Sequence, residues 1–270
     1  MSSEYEYSVV EYASSSLCTQ ELRALHQELK DLGGVCFDPL PRYQVFTDDM
    51  TNAFQDKIIV VARHGEKVVA FVSAVVIPIA NLPDPVIHSG LTVIHPDHRR
   101  AYGVIQLLHY NLWMHLFSAY PHGFWMTCLA EVISSLVHMS KYAINVYPSP
   151  QWLSDHPSGE PGETQLLIAK EISAKHRGKM LISCDAEFEE QNFIFKGSNN
   201  HAAAHVFMKD TDDARHWHRD TAASAFYRRL FRRNEGDEVL QVGFMDPNYL
   251  ADQAQKSAYK AAIARRASKL

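Results

Sequence analysis

Cysteine is scarce and scattered. The four, Cys18, Cys36, Cys128 and Cys184, form no C-x-x-C pair, so they read as reduced thiols rather than a disulfide framework. Cys128, inside an apolar run, is expected to be buried. Long hydrophobic runs are also missing: each breaks well short of the roughly 20 residues a membrane span needs. The opening MSSEYEYSVVEYASSS has no basic start and no apolar centre, which argues against a signal peptide. Basic charge is not in excess. A net charge of −5 and a pI near 6.3 do not suggest a dedicated nucleic-acid binder. No internal repeat or low-complexity tract is evident. Together these absences predict a soluble, cytoplasmic protein without a membrane partner.

What is present suffices for a core. Apolar residues make up 46% of the 270 and aromatics 11%, which excludes global disorder and leaves room for one large domain or two small ones. Residues 7–12 alternate weakly, as in a first strand. Thr19 is a candidate N-cap for a helix carrying Leu22, Leu25, Leu29 and Leu32, with Gly33-Gly34 as its stop. Residues 36–46, with Pro39 and Pro41, read as a loop. Thr47-Asp48-Asp49 then opens a short second helix. Residues 58–63 and 67–77 are strand runs joined at His64-Gly65-Glu66, a hairpin by its turn chemistry. A proline-rich connection over 78–85 leads to a β-branched run, Val86–Ile94. A helix over 103–120, a strand over 124–132, a helix over 134–142 and an extended exit at 145–148 follow.

The stretch 86–120 organises the rest. Its strand ends at Pro96 and a basic turn follows, Asp97-His98-Arg99-Arg100-Ala101-Tyr102-Gly103. Val104, Leu107, Leu108, Leu112 and Leu116 then fall on one helix face. Strand, basic small-residue turn and helix form a phosphate-binding layout, because free N–H groups and the helix dipole both face the anion. The stretch resembles motif A of the GCN5-related N-acetyltransferase (GNAT) superfamily: a hydrophobic strand, x-Pro-x-x-Arg, then Arg/Gln-x-x-Gly-x-Gly/Ala and a helix. Ile94-His95-Pro96-Asp97-His98-Arg99 matches the first part. Two registers compete for the second. One starts at Arg100 and keeps Gly103 but puts Ile105 at a small position. The other starts at His98 and puts Ala101 and Gly103 there; it is preferred, because bulk would block backbone approach to a pyrophosphate. Motif B of the family is matched more sparsely, with Ser135 at its Asn, His138 at its Ala, Tyr142 at its Tyr, and Val146 and Tyr147 at its Gly-Phe.

The resemblance covers residues 8–149. It implies an α/β (α+β) fold with a GNAT-like mixed, mostly antiparallel central sheet flanked by helices. Residues 1–149 would be the acyltransferase core, and 150–270 a C-terminal α/β extension or second half-domain packed on it. The implied activity is N-acetyltransferase chemistry: acyl transfer from acetyl-CoA, or another acyl-CoA, to an amine by direct attack on the thioester, with no metal. Backbone N–H groups at Val93 and Ile94 would hold the thioester carbonyl. Arg99, Arg100, Ala101, Tyr102, Gly103 and Val104 would hold the pyrophosphate. Tyr142 would protonate the leaving thiolate; read without the family, it is a packing residue on an amphipathic helix. His88 and Glu131 are candidate bases. His88 reads also as an ordinary strand histidine, and Glu131 as a cap for the helix that follows. The acceptor class and the oligomeric state stay open. The alternative is a catalytically inactive GNAT fold serving as a binding or assembly module.

Beyond residue 149 the sequence predicts a loop over 152–162, a helix over 163–176, strands over 180–184 and 193–195, a helix over 213–233, a strand over 239–244 and a basic helical tail. Among the fifteen histidines, His201 with His205 and His216 with His218 invite a metal reading, but no H-E-x-x-H exists. Arg228-Arg229 and Arg232-Arg233 could contact nucleic acid, yet Glu235, Asp237 and Glu238 offset them, which favours a solvated helix face.

Overall fold

The computed structural model describes residues 5–99 and 103–256. These form one mixed sheet from β1 (Glu6–Glu11), β2 (Lys57–His64), β3 (Lys67–Ile77), β4 (Val86–Ile94), β5 (Phe124–Ala130), β6 (Ile144–Tyr147), β7 (Glu187–Glu189), β8 (Ile194–Lys196) and β9 (Glu238–Met245). The spatial order is β1-β2-β3-β4-β5-β9-β8-β7, with β6 also pairing β9. Only β4 and β5 pair in parallel; the other pairs are antiparallel. Helices among the described residues include α1 (Ala13–Ser16), α2 (Thr19–Cys36), α3 (Met50–Phe54), α4 (Val104–Ala119), α5 (Ile133–Tyr142), α6 (Pro150–Asp155), α7 (Glu163–Glu171) and α8 (Thr221–Arg228). A mixed, mostly antiparallel sheet flanked by helices is the architecture that the resemblance implies.

Strand alternation sorts the core. Ile58, Val60 and Ala62 of β2 face α4 and α5, whereas Ile59 and Val61 face α2 and α3. A third cluster joins Ile168 and Ile172 to Phe193, Phe195, Leu240 and Val242 on the far half of the sheet. Buried apolar side chains of this size each contribute about 1.5–3 kcal/mol by leaving water.

Local rules explain most boundaries. Asp49 caps α3, accepting from the N–H groups of Thr51 (2.9 Å) and Asn52 (3.3 Å). Cys18, one residue before the expected Thr19, caps α2, and its N–H donates to Glu21 Oε2 at 3.0 Å. Gly33 does not stop α2, which runs on to Cys36. It is a packing residue: a Cβ there would lie 2.6 Å from Leu40 Cδ1 and Phe46 Cε1. The helix expected over 213–233 is reduced to a 3₁₀ turn (Ala214–His216) and α8, because Asp213 and Asp220 each cap a new start. Residues 180–184 form turns rather than a strand. The basic tail is helical through residue 256, and the rest of it lies outside the described residues.

The expected division at residue 149 is not a division of the sheet. β9 pairs with β5 along its whole length, from Phe124 against Met245 to Ala130 against Val239. Residues 148–237 are therefore inserted between β6 and the strand that separates β6 from β5. The turn entering β5 is built around this contact. Gly123 has φ 101°, and a Cβ on it would lie 2.4 Å from the Met245 carbonyl oxygen. Gly123→Ala is expected to cost about 1–3 kcal/mol of stability, read as a lower urea midpoint at unchanged m-value.

Candidate active site

β4 and β5 are hydrogen-bonded through three residues only, Ile87, His88 and Ser89 against Met126, Thr127 and Cys128. Past Ser89 they part. β4 stays with β3, Val93 opposite Phe71 and Ile94 opposite Ala70. β5 stays with β9. The facing edges lose their ladder partners there. A bulge bends β4 at the fork: Ser89 pairs Ala74 and Thr92 pairs Val72, so Gly90 and Leu91 together oppose Ser73. Gln44 fills the bulge. Its side chain accepts from Ser73 Oγ (2.6 Å) and the Leu91 N–H (3.3 Å) and donates to Tyr43 Oη (2.8 Å). A Cβ on Gly90 would lie 2.3 Å from the Gln44 amide. Gln44 itself has φ 48°, a strained backbone held by buried hydrogen bonds.

Two cavities meet at this fork from opposite faces of the sheet, sharing Ser89, Gly90, Thr92, Leu129, Ala130 and Ser135. The first, about 580 Å³, lies between α4 and α5. His109, Trp113, His138 and Tyr142 line it with ring against ring: His109 to His138 at 4.9 Å, His138 to Tyr142 at 4.8 Å, Trp113 to Tyr142 at 5.1 Å. His109 Nδ1 meets the Ile105 carbonyl at 2.9 Å. Burial pushes the His138 pKa down to about 3, with His109 adding to the shift, and lowers His109 as well. This part of the cleft is therefore uncharged at neutral pH, while Lys141 and Arg219 add positive charge to its lining. Burial, reinforced by Glu238, pushes the Cys128 thiol up to about 12; it is an inert thiol in the wall.

The second cavity, about 290 Å³, faces the 36–46 loop and residues 180–209. Glu131, just past β5, is 4% exposed. Its Oε2 accepts from the Lys209 backbone N–H (3.1 Å) and from Asn199 Nδ2 (3.5 Å), whereas Oε1 has no partner among the described residues. Burial raises its pKa to about 7 against those hydrogen bonds. Glu238, at the start of β9, accepts from Ser198 Oγ at 2.6 Å. It too is raised to about 7 by burial, and the nearby Glu131 charge adds to the shift. His88 is buried with Nδ1 3.1 Å from Thr127 Oγ1. Burial and then Lys57 push it down to about 3, which keeps it neutral and a weak base.

The structure thus brings His88 and Glu131 to one cavity and Tyr142 to the other, joined at the fork. Val93 and Ile94 lie beyond the fork on β4, and neither lines either of these two cavities. Arg99 is exposed, and its Nε donates to the Ile94 carbonyl at 3.2 Å. Arg100, Ala101 and Tyr102 lie outside the described residues. Gly103 (φ 89°) leads into the 16-residue α4, and Val104 is buried at its first turn. Ile105 is 38% exposed and lines the first cavity. The connection over 78–85 packs Ile79 and Leu82 on the far core and lines neither cavity. His201 Nε2 is 3.2 Å from the Leu181 carbonyl and His216 Nε2 is 3.7 Å from Asp213. No cluster of three or more metal-ligating side chains occurs among the described residues. No helix among them is long and apolar enough to cross a membrane. Sequence reasoning missed Gln44, Asn199 and Glu238. A glycine inside the β4 pattern was the one available signal for the bulge.

No protein-family model matches the sequence, and no curated protein does. Among solved structures the chain is similar to Escherichia coli ElaA, at 18% identity over 54% of this chain and 90% of that one, TM-score 0.39. It is also similar to an acyl-CoA N-acyltransferase from Pseudomonas aeruginosa (17% identity, 52% and 86% covered, TM-score 0.38). A third is Arabidopsis thaliana NAA60 in complex with a bisubstrate analogue (16%, 53% and 87%, TM-score 0.32).

The buried carboxyls have a measurable consequence. Above their ordinary pKa of 4.5 and up to about 7, the folded protein holds protons that the unfolded chain has released. Their contribution to folded stability therefore falls as pH rises through that window. Glu238→Gln keeps an acceptor for Ser198 without the charge. It is expected to melt above the wild type at pH 8, with the difference closing toward pH 4.5 in paired thermal scans.

Proposed function

We propose that the protein is an acyl-CoA-dependent N-acyltransferase, moving an acetyl or related acyl group to an amine by direct attack. The observation that carries this reading is the fork: two cavities on opposite faces of one sheet meet only where β4 and β5 separate. A donor and an acceptor entering from the two sides would meet there, oriented before reaction.

The α4/α5 cleft suits an acyl-CoA. Its wall is apolar and uncharged where an acyl thioester would lie, and it runs beside the start of α4. There Gly103 has no side chain to obstruct an anion, and the first-turn N–H groups have no helical acceptor. Arg99 and the turn through Gly103 would hold the pyrophosphate. The co-substrate supplies the activated acyl group.

The chain's own groups do the rest. Glu131 takes a proton from the acceptor ammonium, so that the free amine can form the C–N bond. The unpaired β4 edge, toward Val93 and Ile94, donates to the carbonyl oxygen as it gains charge. Tyr142 protonates the sulfur as the C–S bond breaks and recovers a proton from the new amide nitrogen. The sum is amide, thiol and one released proton. Of the two candidate bases, Glu131 is poised near neutrality, whereas His88 is held neutral and orients the cavity wall. The inert Cys128 offers no covalent detour.

Acetyl-CoA at millimolar concentration is expected to raise the melting temperature, and Arg99→Glu to abolish the rise. Glu131→Gln should keep the rise but slow amine-dependent thiol release by about 10²–10⁴-fold. Tyr142→Phe should slow turnover without weakening binding. No shift with any acyl-CoA would overturn the proposal in favour of an inactive GNAT fold acting as a module.

A further inference from the structure

We propose that residues 180–209 turn the acceptor side of the fork into a chamber for one small primary amine with an apolar body, its ammonium held by Glu131 and Glu238. Four observations converge on this. First, five of the eighteen residues lining the chamber come from the insertion: Met180, Leu181, Asn199, Phe207 and Lys209. Second, Phe207 packs edge-on against Phe37 (5.8 Å) and Tyr43 (5.9 Å), joining the insertion to the loop after α2 as an aromatic wall. Third, Glu131 Oε1 is buried and without a hydrogen-bond partner among the described residues, while Oε2 and the Glu238 carboxyl are fixed by Lys209, Asn199 and Ser198. A buried carboxylate oxygen with no donor is costly unless a ligand brings one. Fourth, the volume is about 290 Å³, at the low end of the roughly 300–1,000 Å³ of small-molecule clefts. That suits a compact molecule, not a polypeptide segment.

The charges select the ligand's sign. Among the described residues, Lys209 is the one cation lining the chamber, and its Nζ is already engaged by the Val206 carbonyl at 2.9 Å. Two carboxyls against one engaged lysine favour an incoming cation. The aromatic and aliphatic wall favours an apolar body behind it, and an ammonium beside Tyr43 or Phe207 gains cation–π attraction. Lining a cavity with both features discriminates against the uncharged isostere, because the carboxyls would be left unpaired.

This rests on the acyltransferase reading for its chemistry but not for its binding, so binding is the test. The full chain, without acyl-CoA, is titrated calorimetrically with 2-phenylethylamine, with 2-phenylethanol and with a tetrapeptide bearing a free N-terminus. The amine is expected to bind at least tenfold more tightly than either. Glu238→Gln should weaken the amine at least tenfold and leave the alcohol unchanged. Phe207→Ala should narrow the gap between amine and peptide. Equal affinity for amine and alcohol, or for amine and peptide, in the wild-type protein overturns the chamber. Amine binding that follows the expected pattern without any acetyl-CoA shift would instead overturn the acyltransferase reading and leave the chamber standing.

Discussion

Everything in the site depends on two neighbouring strands ceasing to pair. Parallel β4 and β5 share only three residues of ladder before each turns to its other neighbour. Backbone groups left at such an edge must be satisfied by something else. In this protein the need is met on one flank by side chains, with Gln44 wedged into the bulge opposite Ser73, and on the other by open cleft. The same opening that costs hydrogen bonds connects the two faces of the sheet. A continuous ladder would have been more stable and would have sealed the passage.

The polar groups around the opening follow one rule. Each is buried by an element far away in the chain and is therefore displaced from its ordinary titration. Glu131 is covered by residues 199–209, Glu238 by the β8 turn, and His88 by β5. Desolvation acts in opposite directions on the two residue types: it makes the carboxyls better bases and the histidines worse ones. That is why the second cavity holds proton acceptors poised near neutrality while the first is lined by rings that stay uncharged. Burial is the largest cause in each case, and neighbouring charges add to it.

Much of this was legible in the sequence where the signal is local. The hairpin at Gly65, the strand–turn–helix of residues 86–119 and the capping aspartate at position 49 announce themselves within a few residues. Glu131 could be picked out because it lies at the end of the strand run that follows the 103–120 helix. Glu238 could not: it precedes an apolar run and looks like an ordinary solvated carboxylate, and its hydrogen-bond partner Ser198 is forty positions earlier. Gln44 and Asn199 were hidden for the same reason. Gly33 misled because a glycine near a helix end signals termination, whereas here it admits the Phe46 ring. The division after residue 149 was drawn where motif similarity stops, and similarity cannot see a strand that returns to the sheet after a long insertion.

That returning strand sets the order in which the molecule can be completed during its own synthesis. When β5 and β6 leave the ribosome, the partner that belongs between them has not been translated, and its contact with β5 spans more than a hundred residues. Until residue 245 appears, β5 carries a bare hydrogen-bonding edge, of the kind that invites pairing with other chains. Entropy of closing so long a loop delays the step further. The insertion that lines the second cavity thus exacts its cost in time, leaving the nascent protein dependent on solubility before its sheet is complete.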